Sequence, residues 1–300
     1  MRFNLLMPMR AIKHYDRWIE DGGLADIGRL AEQAGFDGVS ATDHPFPEER
    51  WLASGGHHSF DPFVALSFLA AATRQVSLLT FILVSGYRSP WLTAKGLASL
   101  DKLSGGRVIA GMAAGYLKPE FEVLGAQWEG RGALFDAALD SMRAAWTGET
   151  VNQDGPFPAH GHSQLPLPAQ AGGPPIWMGG NSGAARRRAI ERGQGWIPIG
   201  QPAAMAKITR TPPLETLTEL RELVDEMQQR RSELGKDPLD ICFSPFGDAS
   251  DTTAWLEQIR DDLPAYEDAG VTWLTIEPHA RSLTEFRTAV GAAGELLIDR

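Results

Sequence analysis

Short apolar runs alternate along this chain with longer stretches whose apolar residues recur every three or four positions. The runs Phe3–Met7, Asp37–Ala41, Val76–Val84, Arg107–Gly111, Pro175–Met178, Trp196–Ile199, Leu239–Phe243 and Val271–Ile276 have the length and composition of strands. They lack apolar–polar alternation, and strands apolar on both faces belong to parallel sheets covered on both sides. Between them, Leu24, Ile27, Leu30, Ala31 and Ala34 form one helical face that Gly35 ends. Pro62 opens a helix over Phe63–Ala72, and Pro90 opens another with Leu92, Leu97, Leu100 and Leu103 inward, closed by Gly105-Gly106. Further helices are predicted over Gly132–Trp146, over Ala184–Arg192, and through Leu214, Leu217, Leu220, Leu223, Val224 and Met227. The last two run over Trp255–Ala269, interrupted or restarted at Pro264, and through Leu283, Phe286, Val290 and Leu296-Leu297.

Strict alternation of eight strands with eight helices, without a Gly-rich dinucleotide fingerprint, predicts an α/β fold of the (β/α)8 TIM-barrel type rather than a doubly wound sheet. No composition shift or linker divides the chain, so residues 1–300 read as a single barrel domain. Residues 148–173 lose periodicity and carry four prolines, which predicts an irregular insertion on the bottom or side of the barrel.

Composition narrows the partners. The 300 residues carry 28 Lys plus Arg against 38 Asp plus Glu, a net charge of −10. That balance argues against nucleic acid or an anionic membrane as partner, but not against a small anionic ligand held locally. The single cysteine, Cys242, excludes an internal disulfide and a multi-cysteine metal site, and a reducing cytoplasm is the expected compartment. The longest uncharged apolar stretch, Val76–Gly86, falls far short of the ~20 residues a bilayer demands. The N-terminal apolar run is too short for an export signal.

In a barrel, chemistry collects at the C-terminal ends of the strands. There the sequence places Thr42-Asp43-His44 after strand two, Ser85-Gly86-Tyr87-Arg88 after strand three, Ala114-Gly115-Tyr116 after strand four and Gly179-Gly180-Asn181-Ser182 after strand five. The last of these is a double glycine leaving a strand and an Asn-Ser pair starting a helix. Its free N–H groups suit a phosphate, as they would equally suit an ordinary helix cap, and Arg186, Arg187 and Arg188 follow one turn later. His44 is an imidazole at a strand end, able to donate, accept or steady a developing charge; capping the strand is the plainer role. His57-His58 and the His160/His162 pair have no carboxylate cluster beside them and read as exposed loop residues, so no metal site is expected. Trp51 and Trp128 fall in loops near the rim, where they either line a pocket or pack. Nucleophile-elbow, zincin and P-loop motifs are absent.

Four blocks carry a resemblance: AEQAGFDGVSATDH (31–44), YRSPWLTAKGLASLDKLSGGRVIAGMAAGYLKPEFEVLG (87–125), RGALFDAALDSMRAAWTGE (131–149) and GGPPIWMGGNSGAARRRAIERGQGW (172–196). In them the chain resembles the bacterial luciferase-like superfamily, and within it the oxidoreductases that use the deazaflavin coenzyme F420. The resemblance implies the luciferase-like TIM barrel with loop insertions. It implies that Asp43 and His44 lie beside the deazaflavin, with His44 in acid–base or electrostatic work. It also implies a non-prolyl cis peptide at Phe81–Ile82, so that Phe81, Ile82 and Val84 support the ring. Ala114 and Gly115, with Gly179, Gly180, Asn181 and Ser182, would hold the ribityl-phosphate. Relatives that oxidise sugar phosphates carry an acid where this chain has Tyr116, and a tryptophan soon after the histidine that Phe46-Pro47-Glu48 does not offer. A sugar-phosphate dehydrogenase is therefore not expected.

The function implied is hydride transfer between coenzyme F420 and a small organic substrate, with Tyr116 a candidate proton donor. FMN suits the same pocket, and the alternative is an FMN-dependent two-component monooxygenase fed by a flavin or deazaflavin reductase. A non-catalytic flavin-binding protein and a metal-dependent barrel isomerase are the remaining alternatives, the last lacking ligands. The family often assembles through barrel helices, which implies a homodimer.

Overall fold

In the computed structural model, which describes residues 1–8, 22–280 and 282–298, the strands close into one parallel ring. In chain order the elements are β1 (Arg2–Leu6), α1 (Gly23–Gln33), β2 (Gly38–Ala41), α2 (Glu49–Ala53), α3 (Pro62–Ala72), β3 (Ser77–Thr80), β4 (Leu83–Val84) and α4 (Pro90–Ser104). They continue as β5 (Val108–Ala113), α5 (Lys118–Val123), α6 (Arg131–Trp146), β6 (Val151–Gln153), β7 (Ala159–His162), β8 (Ile176–Gly179), α7 (Gly183–Arg192), β9 (Gly195–Ile197) and α8 (Ala203–Thr209). The chain then forms α9 (Leu217–Glu233), β10 (Asp240–Phe243), α10 (Thr252–Asp268), β11 (Trp273–Ile276) and α11 (Leu283–Ala293). The sheet order is β3-β2-β1-β11-β10-β9-β8-β5-β4, and pairing of β3 with β5 closes it, so this is the (β/α)8 barrel with β3 and β4 sharing one strand position.

Closure depends on close backbone approach between β3 and β5. A Cβ on Gly111 would stand 2.1 Å from the Thr80 carbonyl oxygen, so only glycine fits. Inside the barrel Leu79, Ile109, Trp177, Ile197, Cys242 and Trp273 pack together, with Trp177 and Trp273 edge to face at 5.4 Å. Burial pushes the Cys242 thiol up to about 12, which makes it an inert packing group.

Several local expectations are corrected. Strand three breaks at Phe81-Ile82 into β3 and β4. On α4 the inward face is Ala94, Leu97, Ala98, Leu100 and Asp101, whereas Leu92 and Leu103 are 70% and 88% exposed. At 100° per residue those two leucines lie roughly opposite the Ala94–Leu97–Asp101 line, which the leucine spacing alone concealed. Leu214 lies outside α9: Thr216 caps that helix in a reciprocal box with Glu219, and Leu214 bridges to Gln201 instead. Pro264 sits inside an unbroken α10. The segment 148–173 is not wholly irregular, because β6 and β7 form an antiparallel hairpin within it. Its end lies under the barrel, where the Gln170 amide donates to Asp101 and to the carbonyl of Val108, the first residue of β5.

Candidate active site

A cavity of about 410 Å³ opens at the C-terminal ends of the strands, and residues at or just beyond all eight strand positions line it. That volume is within the range of small-molecule sites. Of the twelve residues expected at the site, all but Asp43 and Asn181 face this cavity.

Those two are buried and already satisfied. Arg88 grips both oxygens of Asp43, at 2.7 and 2.9 Å, while the Val84 N–H donates to the same carboxylate at 3.0 Å. Burial pushes the Asp43 carboxyl up, and the Arg88 guanidinium opposes that shift. Asp43 thus ties β2 to the turn after β4. Asn181 accepts from the Ile199 N–H and donates to the Ile199 and Pro212 carbonyls, each at 2.8 Å, so it clamps the loops that follow β8 and β9.

His44 projects just past β2. Its Nδ1 lies 3.0 Å from Oε2 of Glu120, on the short helix α5 beyond β5. The Tyr87 hydroxyl donates to the same oxygen at 2.7 Å, and the Phe46 N–H donates to Oε1 at 3.0 Å. Burial alone would raise the Glu120 carboxyl, but the His44 and Tyr87 hydrogen bonds hold it below the usual range. Tyr87 is pushed up strongly by burial and by that carboxylate. Trp51 lies tilted against the His44 ring at 4.5 Å, and His57 meets it edge-on at 5.0 Å. His57 is therefore a half-buried cavity residue rather than an exposed loop residue, and Trp51 packs against His44. Tyr116 stands 6.3 Å from His44 between ring centres and accepts a hydrogen bond from Trp51. Burial and the Glu120 charge push its phenol up to about 12, so it stays protonated at neutral pH.

Between the strands that lead to His44 and Tyr116 the wall is apolar. The Phe81–Ile82 peptide is cis, as the resemblance implies, and both residues line the cavity. Ile82 reaches so near Gly179 that a Cβ there would stand 2.2 Å from its Cδ1. Beyond Gly179, Ser182 caps α7 by accepting from the Ala185 N–H at 3.2 Å.

The charge at the mouth departs from expectation. Arg186 pairs with Glu226 and Arg187 is exposed, and neither lines the cavity. Arg188 does, while gripping Asp136 through two hydrogen bonds of 2.7 and 2.9 Å. Arg131, at the start of α6, and Arg210, after α8, join it from distant segments. Both guanidiniums lie near the Trp128 ring, at 3.6 and 5.2 Å from its centre, and Arg131 Nε donates to the Gly115 carbonyl at 3.1 Å. Trp128 is buried in packing rather than lining the cavity. Among the described lining residues the only carboxylate is Glu277.

Sequence reasoning missed Glu120, Arg131 and Arg210, and placed Tyr87 at a strand end without giving it a role. Glu120 and Arg131 fall inside the blocks that carry the resemblance, but nothing in their spacing tells that α5 folds back under His44, or that Arg131 leans over Gly115. Among the described residues no His, Cys, Asp and Glu cluster has the makings of a metal site, and no helix is long and apolar enough to cross a membrane.

The model of the luciferase-like monooxygenase family matches residues 1–248. The chain is 34% identical, over 45% of its length, to an F420-dependent glucose-6-phosphate dehydrogenase of Kribbella flavida, covering 40% of that protein. It is 30% identical, over 53% of its length, to an FMNH2-dependent dimethylsulfone monooxygenase of Pseudomonas putida, covering 44% of it. The chain thus spans less than half the length of these curated relatives. A monooxygenase from Streptomyces bottropensis shares the fold along the whole chain, with a TM-score of 0.80 at 19% identity, covering 99% of that structure.

Proposed function

Because the chain belongs to the luciferase-like monooxygenase family, we propose that it is an oxidoreductase that binds the deazaflavin coenzyme F420 and exchanges a hydride with a small organic substrate. The observation that carries this reading is the cavity itself, in which the apolar Phe81–Ile82 shelf sits on the strand position between those leading to His44 and Tyr116, and arginines complete the lining. Apolar walls suit a planar ring, and cationic residues suit a phosphate in a protein whose net charge is −10. The residues therefore fit a phosphate-bearing flavin or deazaflavin. Phe81, Ile82 and Val84 would support its ring. Gly115, Gly179, Gly180 and Ser182, with Arg131 and Arg210, would hold its phosphate. When bound, that group supplies the hydride chemistry, and the protein supplies position and electrostatics. His44 accepts or returns a proton at the substrate, and Tyr116, kept as a phenol, is available to donate one.

A second reading rests on the likeness to an FMNH2-dependent monooxygenase. There the same pocket takes reduced FMN from a partner reductase. Titration with oxidised and reduced F420 and FMN tests both. Tight F420 binding with hydride transfer supports the first, oxygen consumption with reduced FMN supports the second, and binding of neither overturns both.

We also propose a homodimer. Val64 and Phe68 on α3 are 55% and 58% exposed, and Leu92 and Leu103 on the neighbouring α4 more so. Large apolar side chains left outside on adjacent helices mark an association face.

A further inference from the structure

Three donors converge on the closed-off carboxylate of Glu120. The Phe46 N–H reaches one oxygen, and the Tyr87 hydroxyl and His44 Nδ1 reach the other. An ionised carboxylate accepts all three and donates nothing. The hydrogen in the His44 contact therefore sits on Nδ1. Nε2 has no hydrogen-bond partner among the described residues, while the ring lines the cavity. We propose that Glu120 is the positioning residue that holds His44 as its Nδ1–H tautomer, so that the cavity-facing Nε2 is the atom that accepts and returns the proton. The kinetic part of this inference rests on the oxidoreductase reading above; the tautomer does not.

The arrangement predicts what an amide would do in place of the acid. Glu120→Gln keeps the shape but offers one acceptor oxygen and one donor NH2. The Phe46 N–H is a backbone donor and cannot reverse, whereas a hydroxyl can rotate and an imidazole can change tautomer. The amide oxygen then faces Phe46, the NH2 faces His44 Nδ1, and the ring hydrogen moves to Nε2. The nitrogen that had been the cavity's acceptor becomes a donor.

Nitrogen-15 NMR of histidine-labelled protein without cofactor reads this directly, the His44 signal being identified by its absence in His44→Gln. In the neutral ring the wild-type protein is expected to carry its hydrogen on Nδ1, and folded Glu120→Gln on Nε2. Glu120→Asp, which keeps the charge, is expected to retain Nδ1–H and stands in if the glutamine variant fails to fold. A wild-type ring protonated on Nε2, or an unchanged tautomer in folded Glu120→Gln, overturns the proposal. In the loaded enzyme Glu120→Gln is expected to lower kcat by about 100-fold or more and to flatten its pH profile, with cofactor affinity unchanged. An unchanged kcat also counts against it. If the protein binds neither F420 nor FMN, the functional reading fails, and the NMR result still decides the tautomer.

Discussion

The guanidinium of Arg131 lies 3.6 Å above the centre of the Trp128 indole, and Arg131 lines the same cavity as the apolar Phe81–Ile82 shelf. Trp128 packs against Phe121, and Arg131 also holds the Gly115 carbonyl, so the positive charge is fixed in place. Burial and the neighbouring Arg210 both make that charge less comfortable, lowering the Arg131 pKa. An anion between the two guanidiniums relieves both costs.

Arg131→Ala is therefore expected to weaken FMN binding by about tenfold to a hundredfold, the worth of hydrogen bonds to a charged group. Riboflavin, which has the ring without the phosphate, is expected to bind both proteins alike. Fluorescence titration at low and high salt measures it, and an equal loss for both ligands would place Arg131 elsewhere in recognition.

His44→Ala is expected to keep cofactor affinity and lose turnover by about 100-fold or more, the usual scale of positioned acid–base groups. Full activity in this variant would favour a non-catalytic flavin-binding protein on the same barrel.

Asp43→Ala is expected to destabilise the fold by about 3–5 kcal/mol, because one half of a buried ion pair is removed. Asp61, 2.8 Å from Arg88, is the residual partner that would soften the loss. Urea denaturation gives the value, and a loss under about 1 kcal/mol would mean that the pair contributes no more than an exposed one.

Glu120 links acid stability to the site. Its folded pKa is depressed, so its contribution is fully present above the unfolded value and is lost as pH falls through the folded one. Starting from an ordinary value of 4.5, the loss begins near that pH and deepens below it. Chemical denaturation from pH 6 downward should show a steeper decline for the wild-type protein than for Glu120→Gln, which has no proton to bind there. Parallel curves would refute the assignment.

The exposed leucines on α4 predict assembly. Sedimentation should find a dimer, and Leu92→Asp with Leu103→Asp should yield a monomer with the same circular dichroism spectrum. A wild-type monomer would leave those leucines unexplained.

Much of this molecule was legible in one dimension. The run Val271–Ile276 could only be a strand buried on both faces, and Pro62 and Pro90 mark where helices begin, since proline tolerates a first turn and little else. The repeated pairing of such runs with helical faces determined the barrel, and the barrel rule then pointed to His44, Tyr116 and the Gly179–Ser182 loop without any contact being known. Tertiary structure alone decided what touches what. Glu120 is 76 residues from His44 and Arg210 lies far from Arg131, and no local periodicity encodes such meetings. Leucine spacing could not tell that Leu92 and Leu103 face outward, because the inward face of α4 is set by which of its sides the barrel covers. Nor could charge counting place the arginines. A net of −10 is a sum over the chain, whereas the cationic mouth arises from where three separate segments bring their side chains together. Periodicity is a short-range signal and fixes elements; a site is a long-range coincidence, and only the closed ring of strands creates it.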